Sequence, residues 1–376
     1  MKPFITALIF TVFALPSFAQ HRKVNFSQAF IKENRGKFHI EVNELKELLI
    51  TMLAITDSGL ENDDMFEQKG EYYQRILKQF KPLKTEPIIL KMDSLMKVTP
   101  LNYIFFTGNS QTYQFDGDTL KPSKVYLFTA NSAANVKIDK NPISTFKKEI
   151  EDFAKKSGFR KFYQSQQPLY HQIYDDYKRK VNVEKQWKWL EKNFEAKNDC
   201  YVIYTSPLIN GLNYTTGYTE GDFKLIEMVL PAVSDPEGKS GKASEAFNTR
   251  VMFTEIDHNY VDVPSRKLKA DIEAALKDRD KWVNKKAYGT EYYPNGEKVF
   301  NEYMTFAVFI LYAQENWKRD PKLITEIEKE VVEIMISRGF TKMNEFTTAL
   351  KNLRSQHKKQ KIDQLYPELI KWCAAQ

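Results

Sequence analysis

Cysteine is scarce in this chain: Cys200 and Cys373 are the only two in 376 residues. That excludes a disulfide-stapled scaffold and, with no CxxC or Cys-His cluster, a cysteine-built structural zinc. Whether the two thiols meet stays open, because sequence separation says nothing about their distance. Long apolar runs are scarce too. Beyond the N-terminus the longest is MTFAVFILYA, Met304 to Ala313. It is about half of the ~20 residues that a membrane span needs, so it reads as a buried helix. There is no Gly-x-Ser-x-Gly, no Asp-Thr-Gly and no plausible Cys-His pairing, which leaves serine, aspartic and cysteine peptidase chemistry without a starting point. The net charge of +7 is spread along the chain. Small clusters at Lys178-Arg179-Lys180 and His357-Lys358-Lys359 read as solvated helix faces, and without a basic stripe no nucleic-acid partner is expected.

Aromatics, by contrast, are plentiful, with 26 Phe and 20 Tyr, so a folded core is expected. The first residues, MKPFITALIFTVFALPSFAQ, place Lys2 before an apolar run that ends at Pro16, with small residues at Ser17 and Ala19. This is the pattern of a signal peptide over residues 1–19. The mature chain then starts at Gln20 and works outside the cytoplasm, in the periplasm or beyond. About 355 residues remain, enough for one large domain or two lobes.

Periodicity predicts a mainly helical N-terminal lobe over 20–198. VNELKELLITMLAI (42–55) carries one apolar stripe with Asn43 as cap, and EYYQRILKQF continues at helical spacing until Pro82. PLNYIFFTG and KVYLFTA read as short extended segments, and the Asp116-Gly117-Asp118 turn reads as a turn rather than a calcium site. Helical spacing returns from Ser144 to Phe194. After Asp199 the chain becomes β-rich in CYVIYTSPL and FKLIEMVL, separated by a Gly/Asn/Thr turn region over 210–221. A polar loop follows (234–244). Its GKS lacks the earlier glycine of a phosphate-binding loop, since Val233 stands there. Five helices complete a C-terminal lobe over 199–376: one ending at Pro264, one from 266 to 286, one from 298 to 317, and a closing pair around LITEIEKEVVEIMI and FTTALKNL.

The segment VMFTEIDHNYV, Val251 to Val261, differs by one residue from a zinc-protease helix. In HExxH the two histidines share a helix face and hold one zinc, while the glutamate takes a proton from metal-bound water. Here Glu255 and His258 keep their places, but Thr254 stands where the first histidine belongs. A neutral hydroxyl is a poor zinc ligand beside imidazole, and Asp257, one position before His258, points to a different face. His21, His39, His171 and His357 lie far away in sequence.

Several segments, in order, resemble an exported bacterial family known as domain of unknown function four-nine-three-two, which has zincin-like features. They are VNELKELLITMLAI with YYQRILKQFKPLKTEPII, YTSPLINGLNYTTGY, TEIDHNYVDVP in the place of HExxH, KKAYGTEYYPNGEKVFNEYMTFAVFILY, the Gly339-Phe340 pair and QLYPELIKW. The resemblance covers most of the mature chain. It implies a zincin-like architecture in which Glu302 takes the third-ligand place. His258 and Glu302 would then be vestigial ligands, Glu255 a vestigial general base, and Thr254 the altered ligand position.

The expected fold is α+β, helix-dominated, in two lobes, with a small sheet beside the motif helix. Three functions are compatible with the sequence. In the first, a zincin-like protein with impaired catalysis binds a peptide or protein in the old cleft, with no cofactor expected, or zinc if any. In the second, an active metallohydrolase uses an unusual ligand set. In the third, a structural cell-envelope protein needs no cleft at all. Should the site lack its metal, a buried carboxylate needs a donor, and Thr254 offers a hydroxyl.

Overall fold

A computed structural model describes residues 23–133, 136–235, 238–287 and 289–376; the expected signal peptide lies outside them. The expected helix-dominated α+β class is what the chain adopts. Among the described residues no helix is long and apolar enough to cross a membrane.

The helix Glu44–Ala54 forms where its apolar stripe predicts, with the Asn43 side chain accepting from the Lys46 amide at 3.0 Å. Glu71–Phe80 likewise ends before Pro82. Four helices between Lys147 and Asn193 fill the stretch expected to be helical. The strands Cys200–Ser206 and Phe223–Pro231 pair in parallel at the centre of a four-stranded sheet. Lys37–Glu41, from the N-terminal half, adds to one edge in parallel with Cys200–Ser206. Tyr214–Glu220 adds to the other, antiparallel to Phe223–Pro231. The sheet therefore takes strands from both halves of the chain, and one hydrophobic cluster runs through both.

Several local expectations are overturned. PLNYIFFTG contains a helix, Asn102–Thr107, rather than a strand. Its β-rich composition is overridden by packing against the helices Glu44–Ala54 and Pro87–Val98. Lys124 to Ala130 forms no regular strand, and only Tyr126 bridges to Val24. The expected turn region over 210–221 holds the edge strand Tyr214–Glu220. Its tight connection to the next strand relies on Gly221 at φ +60°, a conformation that costs other residues more. The helix expected over 266–286 is broken into Lys269–Ala275 and a short 3-10 turn, Arg279–Lys281. Asp116 to Asp118 is the tip of a hairpin, with Gly117 at φ +56°.

The motif helix is longer than expected at both ends, spanning Gly241–Lys267 and running through Pro264. A proline inside a helix removes one backbone N–H and crowds the preceding turn. The hydroxyls of Ser265 and Tyr366 both donate to the Val261 carbonyl, at 2.9 and 3.0 Å, and brace the helix there. The motif helix packs against Gly296–Asn316, whose interior residues from Val299 to Ala313 are buried, and lies beside the Tyr214–Glu220 and Phe223–Pro231 strands. The small sheet thus sits where the sequence places it. Cys200 and Cys373 are separate, buried free thiols, and burial pushes the Cys200 thiol up to about 12.

Candidate functional site: a polar cleft along the motif helix

Residues four apart on a helix share a face. Arg250, Thr254 and His258 therefore form one stripe, with Val251 and Glu255 beside it, over about 12 Å at 1.5 Å per residue. These five line one wall of a polar cleft of about 390 Å³. Gly211 and Asn213, in the loop after Cys200–Ser206, form another wall. Glu302 and Phe306 come from the partner helix, and Tyr293 and Arg338 complete the lining. Gly211 is required by a close approach: its amide donates to the Asp64 carbonyl at 2.6 Å, and a Cβ there would lie 2.8 Å from that oxygen. A larger depression of about 490 Å³ beside Trp372 carries Glu345 as its charged side chain, and offers much less chemistry.

The residues singled out in the sequence, Thr254, Glu255, His258 and Glu302, all meet in this cleft. Asp257 does not. It is fully buried, both its oxygens lack hydrogen-bond partners among the described residues, and burial raises its pKa well above the usual range. His171 is exposed on the helix Gln167–Lys180, edge-on to Tyr174 and away from the cleft lining.

Thr254 serves its own helix. Its hydroxyl donates to the Arg250 and Val251 carbonyls at 3.1 and 3.3 Å, the usual back-bonding of a helical threonine. The expectation that it supplies a donor to a carboxylate is therefore corrected: the donor is Arg338. Its Nη2 donates to Glu302 Oε1 at 2.7 Å and to the Tyr293 hydroxyl at 2.9 Å. The guanidinium lies 5.3 Å from the Phe306 ring centroid and 5.6 Å from that of Phe340. Glu302, 6 % exposed, is thus a buried carboxylate neutralised by a charge-assisted bond.

His258 Nδ1 faces the Thr305 hydroxyl at 3.4 Å, a long contact. Burial raises the Glu255 pKa; His258 and Arg338 pull it back and Glu302 pushes it further up. The residues present do not fit a three-ligand zinc centre. The hydroxyl of Thr254 is engaged with the helix backbone, one oxygen of Glu302 is held by a cation, and among the described residues no three His, Cys, Asp or Glu side chains form a metal-holding group.

Arg338 is the residue that sequence reasoning missed. Its one available signal was its position, directly before the Gly339-Phe340 pair and after a helix of clear periodicity. A second missed cluster lies in the core. Lys46 and Glu227, each 1 % exposed, sit 3.8 Å apart. Lys46 Nζ donates to the Thr107 carbonyl, and Gln111 donates to Glu227 Oε2, both at 2.5 Å. Burial lowers the Lys46 pKa to about 8, against the pull of Glu227 and Glu41, and raises that of Glu227. This cluster is sealed from solvent, so its role is internal.

Compared with protein-family models, with curated proteins and with solved structures, the chain matches none.

Proposed function

We propose that this chain is an exported zincin-like protein that binds a peptide or protein segment in the cleft along its motif helix, without zinc-dependent hydrolysis. The observation that carries the reading is the Arg338 guanidinium on Glu302 at 2.7 Å. An arginine placed there supplies positive charge where the resemblance to zincins calls for a dication. Thr254 adds support, because its hydroxyl is engaged with the helix backbone. An active metallohydrolase with unusual ligands would need a further strong donor opposite His258, and its near neighbour there is the Thr305 hydroxyl. A purely structural envelope protein would need no cleft, whereas an open polar cleft lies beside Glu255.

Metal analysis and peptide hydrolysis of the purified mature protein test the proposal. The expected result is substoichiometric zinc after dialysis against micromolar zinc, and no hydrolysis above that of a Glu255→Gln variant. One tightly held zinc per chain, with cleavage that Glu255→Gln abolishes, would sink it.

A further inference from the structure

The two guanidiniums of the cleft differ in one respect. Arg338 has a counter-ion in Glu302 at 2.7 Å. Arg250 has no ion pair among the described residues; its Cζ lies 5.3 Å from the centroid of the Phe247 ring. The acid whose field reaches it, Glu330, is already bonded to Lys239 at 2.6 Å. A half-buried cation without a counter-charge is costly, and an anion brought by a ligand would relieve that cost. Glu255 and Glu302 in the lining disfavour a dianion such as phosphate and tolerate a single negative charge.

We infer that the cleft captures a peptide chain end, with the terminal carboxylate on the Arg250 guanidinium. A guanidinium fork matches a carboxylate with two parallel N–H bonds. The inference rests on the cleft-binding reading above and names the group that is bound.

The experiment measures fluorescence anisotropy of an N-terminally labelled, sequence-randomised pentapeptide pool against the full mature protein. The pool is used with free C-terminal carboxylates and again with C-terminal amides. Free-acid peptides are expected to bind at least about tenfold tighter than amides. Arg250→Met should abolish that preference without lowering the melting temperature, because it removes an uncompensated charge. Arg250→Lys, which keeps the charge but loses the fork, should retain part of the preference and serves if the methionine variant does not fold. Acetate should compete better than inorganic phosphate. Equal binding of acids and amides overturns the chain-end inference and leaves the cleft reading standing. A preference that survives in Arg250→Met, or stronger competition by phosphate, also overturns it. Failure of both pools to bind defeats the inference and the cleft reading together.

Discussion

At the scale of single residues, the outcome turns on Thr254 and Arg338. A threonine in mid-helix satisfies its hydroxyl on the preceding turn, and Thr254 does so at 3.1 Å. Glu302 must have a cation because it is nearly buried, and Arg338 supplies one. Replacing the threonine by histidine should therefore not be enough to recruit zinc. Thr254→His alone leaves Glu302 committed to Arg338, whereas Thr254→His with Arg338→Met frees the carboxylate and removes a repelling charge. The double variant should bind zinc at least about tenfold tighter than the single one, measured by competition with a zinc chelator. Arg338→Met by itself should cost stability. The Arg338 side chain is 37 % exposed, so water screens the pair. The loss should be nearer about 1–2 kcal/mol than the larger figure for a fully buried pair. Zinc should restore the melting temperature only in the double variant. Equal zinc affinity in the single and double variants would show that Arg338 does not guard Glu302.

At the scale of elements, the legible parts were those whose own pattern decides their structure. Asn43 caps the Glu44–Ala54 helix and the aromatic stripes between Lys147 and Asn193 form helices, because spacing along one segment is enough. Glu255 and His258 share a cleft because helical geometry alone puts them there. What the sequence hid was contact between distant segments. Asn102–Thr107 is helical because of what it packs against, and Lys37–Glu41 becomes a strand only by pairing with Cys200–Ser206. The Lys46–Glu227 pair joins the Glu44–Ala54 helix to the Phe223–Pro231 strand in the same non-local way. A helix lysine and a strand glutamate give no sign in sequence that they will be buried together. Their coupling can be measured. Lys46→Met alone leaves the Glu227 carboxylate without its cation and should destabilise by about 3–5 kcal/mol. Lys46→Met with Glu227→Gln removes both charges, keeps the Gln111 contact within reach, and should recover at least half of the loss in urea denaturation. Additive losses in the double variant would mean that the two side chains act independently.

At the scale of the whole molecule, buried ionisable groups make stability depend on pH. Glu47 is 1 % exposed and accepts from the Tyr72 hydroxyl at 2.7 Å. Burial raises its pKa from the usual 4.5 to about 7, with the Ser206 and Tyr72 hydroxyls pulling it back. Between these two values the native chain holds a proton that the unfolded chain has released. Its contribution is thus fully present below about pH 4.5 and falls as pH rises, until it is lost above about 7. Glu227, also raised by burial, acts with the same sign. Lys46 acts in the opposite sense at higher pH. Its folded value of about 8 lies below the 10.5 of the free side chain, so the unfolded state binds more protons across that window and stability rises there. Taken together, these core groups place the weakest point of the fold near neutrality, with gains on both the acid and the alkaline side. A comparison of urea midpoints for the wild type and Glu47→Gln isolates one of them, since the glutamine still accepts from Tyr72 but cannot titrate. Going from pH 5 to pH 7.5, the wild type should lose about 2 kcal/mol relative to the variant. Parallel stability curves would mean that Glu47 is ionised in the fold, and that the hydroxyls around it, rather than a bound proton, offset its burial.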